Sequence, residues 1–388
     1  MRCLVCSSAD LDVFFDAGEQ PVFANVLYDT REEALAAPTG RIRLGACPVC
    51  GFVHNVDFDP ELVAYAPGYE NSLHGSPTFQ AFASELSAGL VERHQLRGGR
   101  AVEIGGGRAE FMRELLDAGL SEGLVMDPSS PDDALASGDA LRIERRLFEH
   151  GDVHGGDHPT RLLLTRHVLE HINAPGDFVG LLSGAARDAG AGLYVEVPNG
   201  LWTLRDLGVW DVIYEHCSYF TPHALAALCA RYGAVGESRE CYGGQFLALE
   251  APSIGPEAPL DASELAADPA EARMRSRFGD TFGEIEGRWK SRLSAARDKG
   301  ERIAIWGAGS KGATFLNTMD APDVIVCAID VNARKLGRFI PGTGHQILGP
   351  DSIRDADLHE IVVMNPLYRE EIARMASDSG SSAVVTVV

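Results

Sequence analysis

The sequence predicts an α/β protein built on a largely parallel sheet and flanked by two smaller units. Three observations carry this. Strand-like and helix-like segments alternate from about residue 100 to about residue 250. Two glycine turns, Gly105-Gly106-Gly107 and Gly307-Ala308-Gly309-Ser310-Lys311-Gly312, each follow an apolar run and precede a helix. Two close cysteine pairs, Cys3-x-x-Cys6 and Cys47-x-x-Cys50, stand ahead of both turns.

The chain of 388 residues is 45% hydrophobic and 23% charged, ordinary values for a folded protein with length for two or three domains. Its formal net charge of −22 argues against DNA or RNA as a partner, because few cations are available to replace released counterions. A small phosphate held by backbone N–H groups stays compatible with that charge. No apolar run approaches the ~20 residues that span a bilayer. The start, Met1-Arg2-Cys3-Leu4-Val5-Cys6, lacks the basic and apolar regions of a secretory signal. The expectation is a cytoplasmic protein with no membrane partner and an oligomeric state the sequence does not reveal.

Residues 1–75 read as a metal-binding unit. Each cysteine pair can present two thiolates on a tight turn, and two such knuckles complete the tetrahedral sulfur shell of structural zinc. A disulfide framework is the alternative, and the missing secretory signal and the scattered Cys217, Cys229, Cys241 and Cys327 speak against it. The short strand-like runs Asp12-Val13-Phe14-Phe15 and Arg41-Ile42-Arg43-Leu44 are too few and too polar to fold firmly without metal.

Residues 76–252 read as the main α/β domain. Phe79, Phe82, Leu86 and Leu90 recur at helical intervals between Pro77 and Gln95, and a strand opens at Arg100. Further strands are expected at 123–126, 161–164, 192–197 and 245–250. A linker rich in Pro, Ala and Asp occupies 251–270, and a charged helix runs to about Lys299. The final unit of 253–388 contains the second strand-glycine-helix segment, from Arg302, and a strand closed by Asp330.

Chemistry concentrates in four places. The first turn reads Val102-Glu103-Ile104-Gly105-Gly106-Gly107, with Asp127 closing the next strand, where a carboxylate can accept both hydroxyls of a ribose. Glycines serving only the geometry of the turn are the alternative. Next, Leu162-Leu163-Leu164-Thr165-Arg166-His167-Val168-Leu169-Glu170-His171 runs a strand into a short helix. It also spells HxxEH, an inverted zinc-peptidase signature, but here it directly follows a buried strand and no third ligand stands in helical context. In Trp210-Asp211-Val212-Ile213-Tyr214-Glu215-His216-Cys217-Ser218-Tyr219-Phe220, rings, a carboxylate and an imidazole crowd together, which suits proton abstraction; a packed aromatic hairpin is the alternative. Tyr65, Tyr69 and Asn71 form a fourth aromatic-polar group.

Glu103 in the first strand, the glycine turn and Asp127 closing the second strand resemble the class I S-adenosylmethionine-dependent methyltransferases. The resemblance implies their Rossmann-like core, with Glu103, Gly105, Gly107, Asp127 and His167 around the cofactor. With the cysteine knuckles, Glu215 to Phe220 and Gly337-Arg338-Phe339-Ile340-Pro341-Gly342-Thr343-Gly344, the chain resembles, nearly end to end, the three-part sugar C-methyltransferases of deoxysugar and antibiotic biosynthesis. That family methylates carbon beside the ketone of a nucleotide-linked sugar, usually dTDP-linked. By this resemblance His216 is the general base with Glu215 its neighbour. Tyr214 and His171 are further catalytic residues, and Tyr69, Asn71, Lys311 and Arg338 are substrate contacts. Cys3, Cys6, Cys47 and Cys50 hold structural zinc, and the last unit anchors a small nucleotide-linked sugar. Three other functions compete: oxygen methylation, a nicotinamide-dependent oxidoreductase using the second glycine loop, and a non-catalytic zinc scaffold.

Overall fold

A computed structural model of the chain describes residues 2–7, 10–63, 72–135, 138–205, 208–258, 266–354 and 356–388. Its central sheet has seven strands in the spatial order Glu237–Cys241, Phe246–Ala251, Gly192–Pro198, Thr160–Arg166, Arg100–Ile104, Glu122–Met126, Leu141–Glu144. The last five are parallel and the first two are antiparallel additions. Leu162, Leu163 and Leu164 are fully buried, because crossover helices cover both faces of a parallel sheet and its strands read as continuous apolar runs. Strand order reverses around Arg100–Ile104, and the crevice outside the carboxyl ends of its two neighbours is where ligands of such sheets sit. Gly105 and His167 both lie there.

The helix Pro77–Arg93 starts where Ser76 accepts the Phe79 N–H and Pro77 fits the first turn. It buries Phe79, Ala83, Leu86 and Leu90 against the sheet. The expected strands at 123–126, 161–164, 192–197 and 245–250 are all present within a few residues of those bounds. Leu141–Glu144 and Glu237–Cys241 were not anticipated. Both are edge strands whose burial is broken by Arg142, Arg239 and Glu240, so they lack the apolar run that announces a strand.

The N-terminal sheet places Asp12–Pro21 against Thr39–Ala46 and Thr39–Ala46 against Val53–Asn55. Its fourth strand is Ser218–Tyr219, from the main domain. The cysteine unit thus shares a sheet with the segment that carries His216. The helix Pro269–Lys299 lies across the same unit, with Phe278 and Phe282 each 4.9 Å from the Phe15 ring. Trp289 continues the contact onto Phe315 of the last unit. That unit is a five-stranded parallel sheet in the order Ile347–Leu348, Ile325–Ile329, Ile303–Trp306, Glu360–Val363, Val384–Val387. It meets the central domain through a Tyr242–Tyr368 hydroxyl contact of 2.5 Å, a reciprocal amide pair between Gln245 and Asn365, and Glu371 accepting from Ser76 and Thr78.

Tyr214, expected among the catalytic groups, belongs to this packing. Its ring is buried over Gly40, where a Cβ would meet it at 2.3 Å, and its hydroxyl accepts the Asp59 N–H at 2.8 Å. Tyr214 and Glu215 sit in a turn, and the Tyr214 ring enters the apolar core instead of the crevice. Tyr214→Phe is expected to lower stability by about 0.5–1.5 kcal/mol, the net worth of one hydrogen bond, seen as a lower denaturant midpoint, while ligand binding and turnover stay at wild-type values. A tenfold loss of turnover with unchanged stability would return Tyr214 to the catalytic set.

Candidate active site

The first glycine turn is shaped by close approach. Gly105 adopts φ +78°, and a Cβ there would stand 2.2 Å from Val168 Cγ2, so only glycine fits between the strand and the segment leading to His171. Asp127 Oδ2 accepts the Gly107 N–H at 2.8 Å, and its Oδ1 accepts the backbone N–H and the hydroxyl of Ser129. The expected ribose acid is therefore held rigid at the turn. Glu103 lies beneath Gly106, fully buried, with Oε2 lacking a hydrogen-bond partner among the described residues. Burial, offset in part by Arg166, pushes its carboxyl up to about 7. A buried carboxylate beside a glycine turn fits a ligand that brings an ammonium group, as the amino-acid end of S-adenosylmethionine does.

Arg166 and His167 close the next strand. Arg166 lies 2.7 Å from Glu196 and stacks 4.1 Å over Phe111. Glu196 is fully buried, and despite that burial Arg166 and His167 hold it down to about 2. His167 takes φ +55° and packs 4.4 Å from Phe246. Burial works against its charge, but Glu170 and Glu196 prevail and carry it up to about 8.

His167, Glu170, His171 and His216 all face a cavity of about 250 Å³. His171 Nδ1 lies 2.9 Å from the carbonyl oxygen of Glu215. A carbonyl only accepts, so Nδ1 carries the hydrogen, and in the neutral ring the lone pair sits on Nε2. His216 meets His171 edge to face at 4.8 Å between centroids. Burial, with the nearby charges of His171, His167 and Lys311, holds His216 well below the usual imidazole range, so it is neutral at pH 7 and able to accept a proton. The Glu215 carboxylate accepts the Ala24 N–H at 3.0 Å. Glu215, expected as the neighbour of His216, also meets His171 through its backbone carbonyl.

The far wall comes from the last unit: Trp306, Gly307, Gly309, Lys311 and Asn365 line the same cavity. Gly312 packs the helix onto its strand, since a Cβ would meet the Gly307 oxygen at 2.1 Å. Lys311 pairs with Asp211 at 2.7 Å. Asp330, the acid a dinucleotide site would use for ribose, is engaged by the Ala308 and Asn332 N–H groups and by the buried Lys335 ammonium. Arg338 is not among the cavity-lining residues. Its guanidinium donates to the Leu27 carbonyl and stands 3.1 Å from Asp29, so it fastens the last unit to the N-terminal one. Tyr69 and Asn71 fall outside the described residues. Glu170, Asp211, Gln245 and Tyr242 are at the cavity without having been expected there; the only sequence signal for Glu170 was its place in HxxEH.

Away from the cavity, Cys3, Cys6, Cys47 and Cys50 converge. Cys3 Sγ lies 3.5 Å from Cys50 Sγ and Cys6 Sγ 3.6 Å from Cys47 Sγ, and all four sulfurs fall within 4.8 Å of one another. None forms a disulfide. The N–H groups of Cys6, Val49 and Cys50 approach Sγ of Cys3 or Cys47 at 3.4–3.5 Å, which stabilises sulfur in its thiolate form. The donor set and spacing suit one tetrahedral metal ion.

Residues 79–238 match the family described as a methyltransferase domain, and residues 258–387 match the C-methyltransferase C-terminal domain. No curated protein matches the chain. Among solved structures it is similar to an O-methyltransferase family protein from Burkholderia thailandensis, at 15% identity and TM-score 0.35, covering 46% of this chain and 59% of that one. It is also similar to the 1,6-didemethyltoxoflavin-N1-methyltransferase of the same organism, at 16% identity and TM-score 0.35, covering 47% and 83%. For the magnesium protoporphyrin IX methyltransferase from Synechocystis the values are 17%, 0.34, 48% and 89%. At these values the substrates of those enzymes say nothing of this one. Among the described residues no helix is long and apolar enough to cross a membrane. The seven-stranded order with its glycine turn and the two matched domains agree: the chain is an S-adenosylmethionine-dependent methyltransferase with a class I core and a C-methyltransferase C-terminal domain.

Proposed function

We propose that the enzyme methylates a carbon beside the ketone of a nucleotide-linked deoxysugar, with dTDP as the expected nucleotide. The observation that carries this reading is that one cavity is walled by the imidazoles of the methyltransferase core and by the second glycine loop of the C-methyltransferase domain. S-adenosylmethionine, when bound, supplies an electrophilic methyl group. The chain's own part is proton removal. A C–H next to a carbonyl is acidic enough for an imidazole to take its proton, and His171 and His216 bring two imidazoles to the cavity. The C–H electron pair then becomes the nucleophile that forms the new C–C bond. The loop Gly307–Gly312, with Lys311 and the start of the helix Ser310–Met319, offers N–H groups and a cation to a diphosphate. The four cysteines hold zinc, which keeps the N-terminal sheet, and with it Ser218–Tyr219, in register.

Three measurements test this. Replacing His216 by Asn is expected to leave both ligands bound and to lower turnover by ~10² to 10⁴. Wild-type protein with S-adenosylhomocysteine should wash deuterium from solvent into the substrate carbon, and His216→Asn should not. Methyl transfer without any exchange in the wild type would point to an oxygen acceptor.

Cofactor affinity should depend on pH through Glu103. Its carboxyl is raised to about 7 in the free protein, and an arriving ammonium favours the ionised form. Binding therefore releases a proton below about pH 7, and affinity rises as pH climbs from about 5 to about 7 and is flat above. Calorimetry in buffers of different ionisation enthalpy reads this directly; Glu103→Gln should abolish the slope, and an unchanged slope would place the ammonium elsewhere.

Metal analysis should find one zinc per chain at the cysteines. Cys47→Ser is expected to lose it, to lower the unfolding temperature and to reduce turnover together, because the sheet that the cysteines cap includes Ser218–Tyr219. Full activity in a zinc-free Cys47→Ser protein would contradict this coupling.

A further inference from the structure

One polar residue interrupts an otherwise apolar run in the N-terminal unit, Pro21-Val22-Phe23-Ala24-Asn25-Val26-Leu27. Asn25 is 7% exposed and lines the cavity that His216 and the second glycine loop share. Its amide reaches that loop: a Cβ built on Gly309 would stand 3.7 Å from Asn25 Oδ1 and 3.9 Å from Lys335 Nζ. The bare Gly309 therefore leaves open a spot flanked by an amide from the N-terminal unit and a buried ammonium from the last one. Buried polar groups are kept where hydrogen bonds meet them, and an oxygen of a ligand in that spot has both within reach.

The backbone around Asn25 is clamped from two sides. Glu215, 1% exposed, accepts the Ala24 N–H across 191 residues of sequence. Burying a carboxylate is costly unless hydrogen bonds offset it, and a hydrogen bond to a charged acceptor is among the stronger ones, so Ala24 is firmly placed. On the other side Arg338 donates to the Leu27 carbonyl, and Tyr28 and Phe339 exchange backbone hydrogen bonds of 3.1 and 2.9 Å. Val22, Ala24 and Leu27 are buried in the core. Asn25 is thus held between the segment that carries His216 and the last unit, with its side chain at the cavity.

We propose that Asn25 is a substrate-binding residue supplied by the cysteine unit, and that Glu215 is the positioning residue that holds it in place through the Ala24 N–H. The group recognised is a sugar oxygen, a hydroxyl or the ketone, lying between the diphosphate on the second glycine loop and the carbon that faces His216. An amide both donates and accepts, so it pairs with a hydroxyl in either sense and donates to a ketone. The inference rests on reading the cavity as a sugar-nucleotide site and deepens it, because a buried amide left unpaired disfavours a sugar that lacks the matching oxygen. Proton removal stays with His216. Glu215 then serves the site at both ends: its backbone carbonyl orients His171, and its carboxylate orients the turn that carries Asn25.

The test is calorimetry on the full-length, zinc-loaded protein with two probes, dTDP and dTDP-glucose, which share the nucleotide and differ in the sugar. Asn25→Ala is expected to weaken dTDP-glucose about tenfold, as the loss of one hydrogen bond at a buried site does, and to leave dTDP unchanged. Glu215→Ala should reproduce this split. The double variant should lose no more than either single one, since both act through one contact; additive losses would overturn the positioning role. Glu215→Gln keeps an oxygen for the Ala24 N–H and should hold dTDP-glucose affinity to within about threefold of wild type, a rescue that a residue needed for its charge would not show. Zinc content and S-adenosylmethionine affinity should stay at wild-type values throughout, and if Glu215→Ala fails to fold, Asn25→Ala and Glu215→Gln still decide the matter. Equal weakening of both probes by Asn25→Ala would put the amide on the diphosphate and overturn the inference. Asn25→Ala protein that binds dTDP-glucose as the wild type does, with dTDP also bound, overturns it and leaves the sugar-nucleotide reading standing. Wild-type protein that binds neither probe removes that reading, and the inference falls with it.

Discussion

Everything at the cavity depends on one short segment, Tyr214 to Phe220, being stitched on three sides at once. Tyr214 is fixed by Asp59, Glu215 by Ala24, and Ser218 and Tyr219 by the strand that carries Val53 and His54. The Asn55 N–H adds a bond to the Cys217 carbonyl, and Phe220 leans on Phe52. His216 sits between these stitches, with its own ring left to the cavity. The contacts that fix it belong to its neighbours, so the imidazole is positioned without spending its nitrogens on structure. That is the condition a proton acceptor has to meet.

Burial of charge is organised around this point. Glu196 is satisfied by Arg166 and Tyr194, and Glu250 is held by Arg93, His94 and Arg239. Each of these carboxylates has a partner on both oxygens, which rigidifies a core. Glu103 Oε2 and both Glu170 oxygens have no hydrogen-bond partner among the described residues, although His167 stands 3.7 Å from Glu170. Of the two, Glu103 is the one beside the glycine turn, where an ammonium group of a ligand would complete it.

Much of this was legible in the sequence. The apolar run Leu162–Leu164 announced a buried strand, three glycines announced a turn with close approach, and the cysteine spacing announced a sulfur cluster. Those signals are local: each is set by residues within a few positions of one another. What escaped was set by partners far along the chain. Arg338 finds the Leu27 carbonyl, and Tyr214 finds the Asp59 N–H; a backbone group leaves no mark in a sequence pattern. Ser218–Tyr219 is too short to show a period, yet it decides how two units join.

The shared sheet has a consequence for where this protein can be divided. A cut near residue 75 looks natural from the sequence, yet it would strip Val53–Asn55 of its outer neighbour and leave Ser218–Tyr219 without a template. Each fragment would then carry an open strand edge, with N–H and C=O groups ready to pair with another copy. The cysteine unit therefore has to travel with the methyltransferase core as a single inheritable block.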